Sequence, residues 1–313
     1  MTKYAFIFPG QGAQFVGMGK ELASEYPEAG KIFQEADEIL GYNLSRIIFQ
    51  GDDEMLYKTE VTQPAVLTTS VAISSVLEKE GLKPDAVAGL SLGEYSALVC
   101  AKALHFSDAI LLVQKRAQLM QELIPFGKGG MAAILGLTPE EVKNICNKSL
   151  PFGHVEPANY NCPGQVVIAG HKEALEEACR LASEKKAKAR MLSVSVPFHS
   201  KLLQPIKKDM ISMLGKISIN APIFSFVANT SARYLKNPED IRQSLVEQSY
   251  TPVLWEDSMK LLIGDGCNLF IETGPGRVLT GFMKRIDKNV RATHVEDKLT
   301  LYRLLKILEE VKA

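Results

Sequence analysis

The chain has 313 residues, enough for one large domain or for a large domain that carries a smaller inserted one. Its 36 Lys and Arg residues balance 36 Asp and Glu residues, so no net field favours non-specific binding to nucleic acid or to an anionic membrane. Because no apolar run approaches the ~20 residues that span a bilayer and no secretory signal is visible, we expect a cytoplasmic protein without membrane partners.

Short apolar runs alternate with longer segments of helical period, which is typical of an α/β domain with a mostly parallel sheet. Four runs that end in turn or polar residues predict strands, namely 4–8, 86–88, 223–227 and 269–272. The helical pattern predicts helices at 61–77, 94–104, 108–124 and 299–311. Residues 43–62 are predicted to be a polar connection. Ligands gather at strand ends in such sheets, so functional residues are expected there.

The order of predicted elements changes between residues 129 and 196. The pattern predicts a strand at 131–135, a helix that starts with a capping signature at 138, and two paired strands around 160–170. A second helix at 172–186 and a last strand at 190–196 follow. This βαββαβ order predicts a small ferredoxin-like (split βαβ) domain. We expect it to be inserted, as residues 129–196, into a hydrolase-like large α/β domain formed by residues 1–128 and 197–313, with a cleft between the two.

The sequence Gly89-Leu90-Ser91-Leu92-Gly93 follows a predicted strand and precedes a predicted helix. This is the context of a nucleophile elbow, in which flanking glycines permit a sharp, strained turn that exposes the serine hydroxyl. The first amides of the new helix stabilise negative charge that develops there. Ser91 is therefore the predicted nucleophile, and an ordinary glycine-bounded turn is the alternative.

A serine hydroxyl at its normal pKa needs a base within hydrogen-bond reach. Among the five histidines, His199 is favoured because it directly follows a predicted strand end, with Pro197 fixing the backbone before it. The only aspartate between Ser91 and His199 is Asp108, which suits a helix start better than a triad. We therefore expect a Ser–His dyad whose imidazole is held by a carbonyl oxygen.

The five cysteines are scattered, and they form neither a CxxC pair nor a metal-ligand spacing with histidine. We expect free, mostly buried thiols, no metal site and no cofactor. Cys162 is a second candidate nucleophile, but no basic residue adjoins it in sequence to lower its pKa.

Arg116 falls on the apolar face of the helix predicted at 108–124. Its guanidinium stays protonated, so burial without an anion would be strongly unfavourable. One explanation is an internal salt bridge to Asp or Glu. The other is a bidentate site for a substrate carboxylate, which would reject an analogue without that group by roughly 10⁴-fold.

Three separated motifs resemble those of the malonyl-CoA:acyl carrier protein transacylases, and the similarity extends over nearly the whole chain. They are Pro-Gly-Gln-Gly-Ala-Gln at 9–14, Gly-Leu-Ser-Leu-Gly-Glu at 89–94 and Pro-Phe-His-Ser at 197–200, with further similarity at 158–165 and 246–248. Many members have His before the nucleophile, where this chain has Leu90. This departure leaves the predicted base unaffected.

The resemblance implies that Ser91 carries a malonyl ester, that His199 is the base and that Gln248 orients His199 through a carbonyl. It also implies a role for four further residues. The backbone amides of Gln11 and Leu92 would form the oxyanion hole, Arg116 would bind the malonyl carboxylate, and the bulky Phe198 would favour malonyl over branched acyl groups.

The implied partners are malonyl-CoA or CoA and an acyl carrier protein, with a monomer sufficient for the reaction. Carrier proteins of this kind are typically acidic, so a basic surface near the cleft is expected. Two candidate docking clusters are Lys185, Lys186, Lys188 and Arg190, and Lys284, Arg285 and Lys288. Their alternative role is that of solvated helix faces. Two other functions share the same motifs: a serine hydrolase or thioesterase, and a catalytically silent carrier-protein binding subunit.

Overall fold

The computed structural model describes residues 2–125 and 127–312, and strands within these ranges form two sheets. The larger sheet contains β1 (Lys3–Phe8), β2 (Ala86–Gly89), β7 (Ser225–Ala228), β8 (Arg233–Leu235), β9 (Cys267–Thr273) and β10 (Arg291–Val295). The smaller sheet contains β3 (Gly129–Leu135), β4 (Val155–Cys162), β5 (Gln165–His171) and β6 (Lys188–Met191).

Helices connect these strands and cover the sheets. Those that precede the small sheet are α1 (Lys20–Glu25), α2 (Pro27–Leu40), α3 (Leu44–Gln50), α4 (Asp53–Leu56), α5 (Thr59–Lys79), α6 (Gly93–Cys100) and α7 (Phe106–Leu123). The later ones are α8 (Pro139–Ser149), α9 (Lys172–Glu184), α10 (Lys207–Leu214), α11 (Pro238–Gln248), α12 (Trp255–Gly264), α13 (Val278–Ile286) and α14 (Lys298–Lys312). Two 3₁₀ helices span Leu150–Phe152 and Lys201–Ile206.

The larger sheet has the strand order β10-β9-β1-β2-β7-β8 and is parallel except for the β7–β8 pair. It is buried on both faces, as parallel sheets are. Alternate residues of β1 show this, because Phe6 and Phe8 belong to one apolar cluster while Ala5 and Ile7 belong to the other. The predicted α/β class with a mostly parallel sheet is confirmed.

The smaller sheet is antiparallel and has the strand order β4-β5-β3-β6. Helices α8 and α9 supply Val142, Ile145, Leu175 and Ala178 to an apolar cluster with its strands. Thr138 caps α8 through the predicted capping box with Glu141. The predicted βαββαβ order is confirmed, whereas the domain boundaries after residues 128 and 196 stay a prediction.

Two local predictions are wrong. The segment predicted as a polar connection contains α3, which buries Leu44 and Ile48 at helical spacing, and α4, which buries Leu56. The strand predicted over 190–196 is the shorter β6, since only 188–191 pairs with β3. Among the described residues, no helix is long and apolar enough to cross a membrane.

Three neighbouring parallel strands, β1, β2 and β7, end at the same edge of the larger sheet. The chain leaves them at Pro9, Leu90 and Asn229. The loops that follow these strands therefore lie beside one another, at the edge where ligands gather in α/β sheets.

Candidate active site

Ser91 lies in the sharp turn between β2 and α6 with a φ of 53°, in the left-handed region that a serine rarely adopts. The flanking glycines are required by close packing. A Cβ at Gly89 would lie 1.9 Å from the carbonyl carbon of Gly93, and one at Gly93 would lie 2.1 Å from the Phe8 oxygen. The predicted elbow geometry is thus present, and it depends on the contact between β1, β2 and α6.

Asn229, the first residue after β7, holds the elbow on both sides of Ser91. Its Oδ1 accepts a hydrogen bond from the Ser91 amide at 2.7 Å, and its Nδ2 donates to the Gly89 oxygen at 2.6 Å. Asn229 was not predicted from the sequence. Its position directly after a buried strand was the available signal, because polar residues at strand ends carry function in such sheets.

The His199 imidazole lies between Ser91 and Gln248. Its Nε2 is 2.6 Å from the Ser91 Oγ, and its Nδ1 is 2.8 Å from the Gln248 backbone oxygen. Because a carbonyl oxygen only accepts, Nδ1 carries the proton and Nε2 is left to accept one from the serine. The carbonyl-held dyad expected from the sequence therefore has the required geometry.

Burial, together with the nearby positive charge of Arg116, lowers the pKa of His199 to about 3. The imidazole is therefore neutral at physiological pH, as a general base must be. Among the described residues, no carboxylate forms an ion pair with His199, which agrees with the absence of a triad acid.

Arg116 in α7 is 1 % exposed, and amide oxygens rather than carboxylates hold its guanidinium. Its Nη1 donates to Gln63 Oε1 at 2.9 Å and its Nη2 to Gln248 Oε1 at 2.8 Å. Within the described part of the chain, no carboxylate oxygen lies within the 4.0 Å of an ion pair, and Nε has no hydrogen-bond partner. The internal salt bridge considered as an alternative is therefore absent there.

Glu94 in α6 is fully buried and lies on the far side of the Gln248 side chain from Arg116. Its carboxylate accepts a hydrogen bond from Gln248 Nε2 and another, at 3.1 Å, from the backbone N–H of Asn229. Burial raises its pKa to about 7, while these hydrogen bonds and the charge of Arg116 oppose the rise. Glu94 and Gln63 were also missed as members of the site, although each is a polar residue within an apolar helical segment.

A cavity of about 260 Å³ opens beside the serine and contains the predicted site residues Ser91, Arg116, Phe198 and His199 in its lining. The small sheet closes the other side with β3, β4 and β5, through Met131, Ala133, Asn159, Asn161, Gln165 and Val167. The cavity therefore lies in the predicted cleft between the two sheets.

Gln11 and Leu92 also line this cavity. Their backbone amides make no hydrogen bond to any residue that the structure describes. Amides without a partner at this position suit the predicted oxyanion hole, whose occupant would be the substrate oxygen.

The candidate thiol nucleophile does not have the required environment. Cys162 is buried, and burial raises the pKa of its thiol to about 11 despite the opposing charge of Arg285. A thiol with such a pKa is almost entirely protonated at neutral pH and unreactive.

The predicted docking residues are exposed on two sides of the cleft. Lys188 and Arg190 lie on β6, and Lys284 and Arg285 lie in the last turn of α13. Arg285 has a structural contact in addition, because its guanidinium donates to Gln165 Oε1 at 2.9 Å and to the Pro163 oxygen at 2.7 Å. These bonds connect α13 to the β4–β5 turn. Arg285 therefore has a structural function that can explain its presence without docking of a partner.

Known proteins are similar to this chain over nearly its whole length. Residues 5–301 match the family model described as acyl transferase domain. A relative named malonyl CoA-acyl carrier protein transacylase from Bacillus subtilis is 45% identical over 312 residues, covering 99% of this chain and 98% of the relative. The transacylase of the same name from Escherichia coli K12 is 44% identical over 311 residues, covering 98% and 100%.

Solved structures of transacylases are also similar to this chain over nearly its whole length. The crystal structure of malonyl CoA-acyl carrier protein transacylase from Clostridium perfringens is 43% identical and has a TM-score of 0.96, covering 99% of this chain and 98% of that one. A malonyl-transacylase in complex with a type II PKS acyl-carrier protein is 42% identical with a TM-score of 0.95, covering 97% and 99%. The chain therefore belongs to the acyl transferase family, and the resemblance to malonyl-CoA:acyl carrier protein transacylases that the sequence indicated is confirmed.

Proposed function

We propose that this chain transfers the malonyl group of malonyl-CoA to the phosphopantetheine thiol of an acyl carrier protein through an ester on Ser91. The observation that carries the proposal is the pairing of two groups in one cavity. A neutral imidazole lies 2.6 Å from the serine hydroxyl, and a buried guanidinium without a carboxylate partner among the described residues lies in the same lining.

In the first half-reaction, Arg116 binds the malonyl carboxylate while the Ser91 Oγ attacks the thioester carbonyl carbon. His199 Nε2 takes the hydroxyl proton as the new C–O bond forms. Negative charge then collects on the carbonyl oxygen, where the amides of Gln11 and Leu92 stabilise it by about 10² to 10³ in rate per donor. The C–S bond breaks, and the CoA sulfur leaves as a thiol with the proton from His199.

The second half-reaction reverses these steps with a different thiol. His199 takes the proton of the phosphopantetheine thiol, and the sulfur attacks the ester carbonyl. The bond to Ser91 breaks, and its Oγ recovers the proton from the imidazole. Every step uses side chains and backbone amides of the chain itself, so the proposed reaction needs no cofactor.

Selection of malonyl follows from charge and shape. A carboxylate beside Arg116 gives a buried, charge-assisted pair, whereas an acyl group without it leaves the cation buried and unpaired. Phe198, which is 8% exposed and lines the cavity next to His199, limits the space for branched acyl groups.

The carrier protein completes the proposal. The names of the relatives include acyl carrier protein, and the solved structure of one relative is a complex with an acyl-carrier protein. We expect an acidic carrier protein to contact the exposed bases of β6 and α13. Reversing the charges of Lys188 and Arg190 should slow transfer to the carrier protein and leave transfer to free pantetheine unchanged. Equal slowing of both reactions would contradict this docking site. The proposed enzyme works as a cytoplasmic monomer.

A transfer assay tests the function against hydrolysis. The chain is mixed with malonyl-CoA and a carrier protein that bears phosphopantetheine, and mass spectrometry follows malonyl-carrier protein alongside free malonate. We expect malonyl-carrier protein as the main product and none with Ser91→Ala. Free malonate formed faster than malonyl-carrier protein would instead establish a hydrolase, and no turnover of malonyl-CoA would leave the binding subunit as the remaining alternative.

A further inference from the structure

The buried cation of the site and a buried carboxylate are joined through one amide side chain. Arg116 Nη2 donates to Gln248 Oε1, and Gln248 Nε2 donates to Glu94. Arg116 is 1% exposed, whereas Glu94 and Gln248 are both 0% exposed, so all three are almost completely removed from bulk solvent. The positive and negative charges are thus separated by the length of a carboxamide.

The donors and acceptors of this chain of contacts can be arranged in only one direction. An arginine only donates, and an ionised carboxylate only accepts. Gln248 must therefore turn its oxygen to Arg116 and its nitrogen to Glu94, and that nitrogen has a second hydrogen for the Ser91 backbone oxygen at 2.8 Å. The orientation of the Gln248 side chain is fixed by the charges on either side of it.

A direct ion pair would defeat the proposed use of Arg116. A protein carboxylate on the guanidinium would occupy the donors that a substrate carboxylate needs, and displacing it would leave that carboxylate buried without a partner. A buried guanidinium without any nearby negative charge would be equally unfavourable. The observed arrangement avoids both outcomes.

We propose that Glu94 is the counter-charge of Arg116 and that the Gln248 side chain holds it at one remove, so that the guanidinium is neutralised within the protein yet free to bind a substrate carboxylate. Glu94 is then a positioning residue that never touches the substrate. This inference rests on the proposed function, because it assumes that Arg116 selects the malonyl carboxylate.

Exchanging the two residues tests the proposal. The variant Glu94→Gln with Gln248→Glu keeps the composition and net charge but moves the carboxylate onto Arg116. The backbone oxygen that holds His199 is retained. The assay measures kcat/KM for malonyl-CoA and for acetyl-CoA with pantetheine as acceptor at pH 8, which lies above the Glu94 pKa of about 7. The readout is the ratio of the two values, since a general loss of activity lowers both.

We expect the exchange to reduce the malonyl-to-acetyl ratio by about 10²-fold or more, to the level of Arg116→Ala. In one variant the guanidinium is occupied by a protein carboxylate and in the other it is absent, so in both the substrate carboxylate loses a buried charge pair of about this effect. A ratio that stays within about threefold of the wild type in the exchanged variant, but falls in Arg116→Ala, would overturn the inference and leave the proposed function standing. A ratio that survives Arg116→Ala would overturn both the inference and the assignment of Arg116 to the malonyl carboxylate.

A matched control neutralises a different buried carboxylate. Glu272 is also fully buried, and it accepts hydrogen bonds from Leu279 and Thr280 rather than from a residue that contacts Arg116. Glu272→Gln should leave the malonyl-to-acetyl ratio unchanged. A similar change of the ratio in this control would show that any buried carboxylate has the effect, which contradicts the specific role of Glu94.

A stability cycle keeps the inference testable if the exchanged variant is inactive with both substrates. Unfolding temperatures are measured for Glu94→Gln, for Arg116→Gln and for the double variant. If the two charges neutralise each other, the double variant unfolds at a higher temperature than additivity of the single changes predicts. Additive losses would overturn the inference whatever the activities are.

Discussion

Replacing Asn229 by Ala should disable the elbow without touching the nucleophile or the base. The side chain is 1% exposed, and it makes two hydrogen bonds, at 2.7 Å from the Ser91 amide and at 2.6 Å to the Gly89 oxygen. Alanine leaves both backbone groups without these partners in a site that is largely closed to water. Each loss amounts to about 1–3 kcal/mol, so the predicted loss of unfolding free energy for the two together is about 2–6 kcal/mol.

The acylation rate should fall as well. Ser91 holds a φ of 53°, and such strained backbone persists only where the surroundings fix it. Without Asn229 the turn can relax and move the Ser91 Oγ away from His199 Nε2. A displacement near 1 Å lowers catalytic rates by about 10²-fold.

The assay combines thermal unfolding with stopped-flow measurement of CoA release in the first turnover. Asn237→Ala is a matched control, because Asn237 caps α11 by accepting from the Glu239 amide at 2.8 Å and lies on the surface. The control should lose about 1 kcal/mol of stability and none of its rate. An Asn229→Ala variant that acylates within threefold of the wild-type rate would refute the role assigned to this residue.

Three further predictions follow from the same geometry. Burial lowers the pKa of His199 to about 3, so NMR should show a neutral imidazole at pH 5, and protonation between pH 5 and 6.5 would contradict this. Gly93→Ala places a Cβ 2.1 Å from the Phe8 oxygen and should prevent stable folding, whereas Gly281→Ala, with no atom within 4 Å, should leave the unfolding temperature unchanged or higher, and equal effects of the two would refute the packing argument. Burial raises the pKa of Glu272 from 4.5 to about 7 in the folded state, so the stabilisation by its protonated form is complete below pH 4.5 and is lost as pH rises to 7. The difference in unfolding free energy between wild type and Glu272→Gln should therefore change by about 3 kcal/mol across this range, and a constant difference would contradict the raised pKa.

Local signals in the sequence were sufficient for the elbow and for the βαββαβ order. Gly89 and Gly93 flank Ser91 within five positions, and strand and helix patterns on either side define the turn without reference to the rest of the chain. The burial of Arg116 was equally accessible, because the apolar face of α7 follows from helical period alone. Motif similarity added the amides of Gln11 and Leu92.

The supports of the site could not be predicted, because each depends on long-range contacts. Asn229 meets Ser91 across 138 positions and Gln248 meets Arg116 across 132, distances that only the packed sheet and helices bring together. Glu94 lies in the motif itself, yet nothing in the motif shows that its carboxylate faces Gln248. The choice between a salt bridge and amide partners for Arg116 was open for the same reason.

The short elements also escaped prediction for a physical reason. Helices α3 and α4 are only 7 and 4 residues long, too short for a helical period to stand out from a polar connection. Residues beyond Met191 continue the alternation of apolar and polar residues that is typical of a strand. However, Met191 is the last residue of β6 that pairs with β3, opposite Ala132, so the strand ends there.

Intact-mass measurement of the chain after brief exposure to malonyl-CoA, without any acceptor, tests directly whether Ser91 forms a malonyl ester with the help of Arg116. We expect a covalent malonyl adduct on the wild type that maps to Ser91, no adduct on Ser91→Ala, and a much reduced adduct on Arg116→Ala. A malonyl adduct that persists in Ser91→Ala, or that forms as fast in Arg116→Ala as in the wild type, would contradict this expectation.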